Sequence, residues 1–269
     1  TVFSIRFGQK DRTALKEGLL ASFVLLSAVT VVLNAITFLG IDWIIWALRT
    51  PESLVEMMRE YLMVIFAGLI GIFLYNFFAS LLRSLGNSAA PLLFLAVSAL
   101  LNIVLDLWFV AGLHRGVAGA AEATVISQYV SGIGIAVYTR VKFPHLLKRE
   151  KDVRLRMSRV REITSFSGLT CLQQSIMNLG ILAVQGLVNS FGTTVMAAFA
   201  AAVKIDAFAY LPVQDFGNAF SIFTAQNFGA KRTDRIQKGI RAAAAVAVVF
   251  SLAVSLLVFV FAQPLMTLF

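Results

Sequence analysis

Three kinds of oxygen-bearing side chain at one depth carry the most telling chemistry of this sequence: a carboxylate, an amide and a hydroxyl. Asp106 lies inside an apolar stretch, about seven residues from its end, which is roughly 10 Å along a helix axis. If that stretch crosses a membrane, an ionisable group there costs ~2.5–3.5 kcal/mol to insert, and such groups face a bundle interior or a water-filled path. Asn102 stands one helical turn away on the same face. The chain then returns through a tight glycine-rich turn, and Thr124 comes back to a similar depth. Together these residues make an oxygen-rich pocket suited to a proton or to a small hard cation such as Na⁺. The alternative is an aspartate that bonds its own helix neighbours and serves packing.

Other polar residues also interrupt apolar stretches. Glu122 is nearer the outer surface and within reach of water. Lys204 and Asp206, two apart, face different sides of one helix, and Asp215 follows Pro212 by three. Buried pairing across helices is the expected role of these three, with cavity lining as the alternative. Gln173, Gln174, Asn178, Gln185 and Asn189 stripe another stretch with amides. Interhelical hydrogen bonding is their default role, with Gln174 and Asn178 the candidates for a polar cavity. Most of the 23 phenylalanines contact lipid or pack helices. A minority, such as Phe77, Phe78 or Phe208, could line an aromatic cavity that holds flat cations. No zinc-protease His-Glu-x-x-His pattern, intramembrane aspartyl-protease setting or phosphate-binding loop occurs, so no enzyme is expected. The lone Cys171 excludes an internal disulfide.

The elements that must position these residues are membrane helices. Apolar residues make up 59% of the chain and charged residues 14%, with a mean hydropathy of +0.84. A soluble domain needs a more polar surface, so lipid is the solvent for most of this chain. Seven stretches, at roughly 17–41, 60–82, 90–112, 117–139, 163–190, 194–225 and 239–262, are long enough to cross ~30 Å of hydrocarbon as helices. The fold class expected is all-α, a polytopic membrane bundle.

The net charge of +9 does not signal nucleic acid, because the basic residues sit between apolar runs. Nineteen of them fall in loops on one side and three, Arg49, Arg59 and Arg115, on the other; Lys204 is within a span. The first side is therefore expected to be cytoplasmic, and Trp43, Trp46 and Trp108 fall near the opposite ends as an interfacial belt. The basic connection at 140–162 reads as a solvated cytoplasmic linker that also touches anionic lipid.

The chain also repeats. Phe7-Gly8-Gln9-Lys10 returns as Phe228-Gly229-Ala230-Lys231, a shift of 221 positions, and Gly18 and Gly239 keep that shift. Both copies are basic and open an apolar span, so the repeats share one orientation and an axis along the membrane normal. Two spans are then expected before Thr1 and three after Phe269, giving twelve in all, of which this chain holds the third to ninth. Residues 1–150 would belong to an amino-terminal lobe and 163–269 to a carboxyl-terminal lobe.

Several runs resemble the multidrug and toxic compound extrusion (MATE) family. They are Tyr75-Asn76 through Leu82-Arg83-Ser84-Leu85-Gly86-Asn87-Ser88 with Pro91, Asn102-Ile103-Val104-Leu105-Asp106, Gly116-Val117-Ala118-Gly119-Ala120-Ala121-Glu122-Ala123-Thr124, and Ala225-Gln226-Asn227-Phe228-Gly229-Ala230. They follow the family's order along essentially the whole chain. The resemblance implies two six-helix lobes around a central cavity, in a bacterial or archaeal inner membrane. It implies export of hydrophobic or cationic compounds against a Na⁺ or H⁺ gradient, with no other cofactor. The bilayer and small molecules are the expected partners, and a monomer is expected. Asn102, Asp106 and Thr124 match the amino-lobe cation site of some prokaryotic members, whose other carboxylate lies on a first helix outside this sequence. Asn178 stands where the NorM-like branch carries an acidic residue, which favours the DinF-like branch, and Thr170 replaces a usual proline. A lipid-linked oligosaccharide flippase of the same superfamily is the alternative. It is weakened by Lys204 being the one clearly intramembrane basic residue.

Overall fold

A computed structural model describes residues 2–47, 52–148, 153–189 and 191–261. Arg49, Arg149 and Lys151 of the loop tally, and the side chains of Asn189 and Phe208, lie outside what is described.

Every regular element among the described residues is helical. In chain order they are α1 (Val2–Gly8), α2 (Arg12–Leu39), α3 (Ile41–Ala47), α4 (Val55–Ala67), α5 (Leu69–Ser84), α6 (Ala89–Asp106), α7 (Gly116–Lys142), α8 (Pro144–Leu147), α9 (Met157–Asn189), α10 (Thr193–Gly229) and α11 (Thr233–Val260). Six spans are long and apolar enough to cross a membrane: Arg12–Leu39, Val55–Ser84, Ala89–Gly112, Gly116–Lys142, Met157–Val188 and Thr233–Val260. This is an integral membrane protein. The seventh expected span corresponds to α10, a continuous helix of 37 residues and longer than the ~20 needed.

The chain divides into two compact units, residues 12–160 and residues 1–11 with 161–269. In the first, α7 is the central helix, packed by α4, α5 and α6. Its buried side is mostly small residues, Gly119, Ala121, Ala123, Ser127, Ser131, Gly132 and Thr139, with Ile135 the one large side chain among them. Lipid supplies no hydrophobic drive between helices, so close backbone approach has to supply the packing energy. The approach is tightest at Gly132, where a β-carbon would stand 2.6 Å from the carbonyl oxygen of Gly71 on α5. Phe23, Phe73, Phe77 and Phe78 form a ring cluster between α2 and α5, with centroids 5.2–6.1 Å apart. Phe77 and Phe78 are buried in it. They pack the unit and do not line a cavity, which corrects the expectation for these two.

The span Val55–Ser84 is interrupted at Gly68, between α4 and α5. The carbonyls freed there accept from side chains of neighbouring helices: Asn34 Nδ2 donates to Phe66 O at 2.8 Å and Tyr129 OH to Ala67 O at 2.7 Å. At the foot of α2, the buried Glu17 forms ion pairs with Arg156 at 2.9 Å and Arg159 at 3.5 Å. Lys16 Nζ donates to the carbonyl of Lys148 at 3.4 Å. The basic connection thus touches α2, while most of its described residues are exposed.

The second unit carries the other copy of the repeat. α2 and α11 are both 28 residues long, and both their ends differ by 221 positions. α1 and α10 end at Gly8 and Gly229, again 221 apart. The elbows between them have the same bonding. Lys10 N donates to Phe7 O and Lys231 N to Phe228 O, both at 3.0 Å, while Asp11 N donates to Arg6 O at 3.2 Å and Arg232 N to Asn227 O at 2.8 Å. Lys10 and Lys231 sit in the left-handed region at φ 57° and 55°, so both elbows are Schellman motifs. Residues 1–11 cluster by contact with 161–269. The physical reason is that α1 packs on the end of α10 through glycine.

Gly132→Ala should lower stability by about 1–3 kcal/mol, because the new methyl meets backbone and not a yielding side chain. Thermal unfolding of the full-length protein in detergent measures this; an unchanged midpoint would mean that α5 and α7 have room to separate.

Candidate functional site

Asp106 is the last residue of α6, and beyond it the helix widens into a π-helical segment, Leu107–Gly112. Such wide turns cluster at functional sites, because they re-aim the side chains beside them. Asn102 stands one turn back on α6, and Thr124 faces it from α7. Asn102 Nδ2 donates to Thr124 Oγ1 at 3.4 Å, and Thr124 Oγ1 donates to Ala120 O at 3.0 Å. The three expected residues are therefore carried on two packed helices of one unit, with Asn102 and Thr124 in contact.

Asp106 differs from its neighbours. Its Oδ1 is buried and has no hydrogen-bond partner among the described residues. A carboxylate oxygen held away from water without a donor is costly. Two species relieve that cost, a bound proton or a cation. The nearby groups fit either, since an amide and a hydroxyl supply neutral oxygen ligands. Which end of the Asn102 amide faces Thr124 is set by the hydrogen-bond network, and the reverse orientation would present its oxygen.

Glu122, in contrast, is neutralised by Arg115 at 2.6 Å. It bonds on the turn side of α7, away from Asp106's requirement. One polar residue of the same interface escaped the sequence reading. Ser98 lies four residues before Asn102 and eight before Asp106, and its Oγ donates to Ser127 O at 2.8 Å. The four-residue spacing Ser98, Asn102, Asp106 was the available signal, since it marks one helix face.

The remaining candidates belong to the other unit. Gln174 and Asn178 are exposed on α9, and Lys204, Asp206 and Asp215 are exposed on α10. α10 packs on α1 and α11. A crevice of about 180 Å³ lies between α10 and α11, lined by Pro212, Val213, Phe216, Val246, Ala247 and Phe250. It has no polar side chain that could hold an ion. Among the described residues no three His, Cys, Asp or Glu group as metal ligands.

Known proteins were compared with the chain. The MatE family model matches residues 1–108 and 170–269. Among curated relatives, a probable multidrug resistance protein YpnP of Bacillus subtilis is 29% identical over 88% of this chain and 53% of its own. A probable multidrug resistance protein NorM of Thermotoga maritima is 26% identical, covering 97% and 57%. The DNA damage-inducible protein F of Escherichia coli is 26% identical, covering 75% and 47%. The chain thus spans about half the length of these relatives. A crystal structure of a MATE protein in its straight conformation superposes with a TM-score of 0.91 at 24% identity, over all of this chain and 60% of that one. An outward-facing MATE family transporter of the MOP superfamily gives 0.90 at 24% identity, over 98% and 59%. These likenesses show the fold.

If Asp106 is unpartnered, Asp106→Asn should leave the unfolding midpoint unchanged or raise it. Thr124→Val should lower stability by about 0.5–1.5 kcal/mol through loss of its two bonds. A clear loss of stability in Asp106→Asn would show instead that the carboxylate is a packing element.

Proposed function

The chain belongs to the MatE family, and from that premise we propose that it carries the ion-coupling part of a multidrug efflux antiporter, which exports hydrophobic or cationic compounds in exchange for H⁺ or Na⁺. The observation that carries this reading is the buried, unpartnered Oδ1 of Asp106 beside the Asn102–Thr124 contact. A transporter needs one group whose occupancy changes during the cycle, and this carboxylate is poised for that.

Asp106 would take up the proton or cation, while Asn102 and Thr124 hold its surroundings polar and fix the geometry. Binding neutralises the carboxylate and so changes what the helices around it can bury. The ion can drive transport only if it binds one arrangement of the protein more tightly than the other; equal affinity would shift nothing. The loops that hold most of the basic residues would face the cytoplasm, and the Asp106 end of α6 would lie in the outer half of the membrane. Asn178, where an acidic residue would support a second ion site, concentrates coupling on Asp106 and favours the DinF-like branch. The flippase alternative is not favoured, since the relatives above are named for multidrug resistance or DNA-damage induction and none for lipid transfer.

Reconstitution of the full-length protein in proteoliposomes tests this. Ethidium export should follow an imposed Na⁺ or pH gradient, and Asp106→Asn should bind dye yet fail to move it. Normal export by Asp106→Asn would place coupling elsewhere, and no export by the parent under either gradient would remove the antiporter reading.

A further inference from the structure

The break at Gly68 divides one membrane span into halves that are held very differently. Gly68 lies near the middle of Val55–Ser84. Beyond it, α5 buries residues from Gly71 to Ser84, and its backbone meets that of α7 at Gly71 and Gly132. Before it, α4 buries no residue among those described. The half beyond the glycine is therefore fixed on α7 by backbone contact, and the half before it is not.

The hydrogen bonds at the break are of a kind that can be exchanged. Gly68 N donates to Ile65 O, three residues back, at 2.9 Å. Such a tightened turn inside a helix often marks a hinge. Ala67 O accepts from Tyr129 OH on α7 at 2.7 Å. Phe66 O accepts from Asn34 Nδ2 on α2 at 2.8 Å, beside a backbone N–H of the turn. In an unbroken α-helix the same two carbonyls accept from the backbone four residues on, at Ile70 and Gly71. Straightening would thus replace the side-chain donors with backbone ones, and neither form strands a carbonyl in the membrane.

The break also adjoins the residues around Asp106. A β-carbon at Gly68 would stand 2.8 Å from Gln128 Oε1, and Gln128 is one turn along α7 from Thr124, on the same face. Within two turns, α7 therefore carries the hydroxyl that meets Asn102 and the hydroxyl that holds the bend.

We propose that Gly68 is a hinge on which α4 swings against α7, that Tyr129 and Asn34 are positioning residues for its bent form, and that occupancy of Asp106 biases the swing through α7. This rests on the antiporter reading above. On the orientation given there, α4 and the Asp106 end of α6 share the outer half of the membrane. The swing then reshapes that half while α5 stays fixed.

Double electron–electron resonance on the full-length protein in nanodiscs tests this. In a Cys171→Ser background, which removes the exposed native thiol, nitroxides at Met57→Cys on α4 and Leu100→Cys on α6 report the swing; both positions are exposed. Ser80→Cys on α5, also exposed, paired with Leu100→Cys is the fixed reference. Met57–Leu100 should give two distances, while Ser80–Leu100 gives one. Asp106→Asn, neutral like the occupied carboxylate, should change the ratio of the two roughly tenfold. Tyr129→Phe keeps the ring and drops the donor; it should deplete the bent form and reduce ethidium export in proteoliposomes at least roughly tenfold. If the parent exports dye while Met57–Leu100 keeps one distance with and without Asp106→Asn, the break is a rigid bend; the hinge falls and the antiporter reading stands. Unchanged export and an unchanged ratio in Tyr129→Phe would also overturn the hinge. If the parent exports nothing under either gradient, both readings fall.

Discussion

A polar group in hydrocarbon has no solvent to bond, so each one must find its partner inside the protein or go without. Hydroxyls and amides solve this within their own helices. Thr30 donates to Leu26 O, Ser127 to Ala123 O, Thr139 to Ile135 O and Asn227 to Phe223 O, all at 2.7–2.8 Å and all one turn back. A carboxylate has no such solution, because a helix offers carbonyl acceptors along its length and an ionised carboxylate can only accept. Glu17 meets the need with two arginines at the edge of its unit. The Oδ1 of Asp106, by contrast, has no donor among the described residues. The proposed role of Asp106 follows from this constraint.

The interruptions of the helices follow from the same rule. Breaking a helix in a membrane frees carbonyls that water cannot reach, so a break survives only where side chains arrive to bond them. At Gly68 they do, from Asn34 and Tyr129. After Asp106 the helix loosens into a π segment without ending, which changes side-chain direction while the backbone stays bonded. At the two elbows, Schellman bonds close the helix ends.

The elements legible in the sequence were those governed by hydropathy and by repetition. The spans were readable because lipid demands continuous apolar length, and the repeat was readable because one elbow geometry needs the same glycine and lysine in both copies. Asn102 and Thr124 come into contact because the short turn between α6 and α7 brings the two helices back side by side. Less accessible was anything that depends on which helix covers which face. Phe77 and Phe78 looked like cavity residues until Phe23 and Phe73 were found against them. The Gly68 break had a glycine as its only sign, and a single glycine inside an apolar run has many uses.

The elbows at Lys10 and Lys231 also bear on how the chain enters a membrane during synthesis. Each joins two helices through three residues, Gln9 to Asp11 and Ala230 to Arg232, with a lysine in the left-handed position that glycine usually takes. That choice costs roughly 1 kcal/mol in backbone strain, but it puts a fixed positive charge at the tip of a hairpin too short to unfold sideways. On the orientation proposed above, that charge would hold the tip at the cytoplasmic surface while α10 and α11 enter the membrane as a pair.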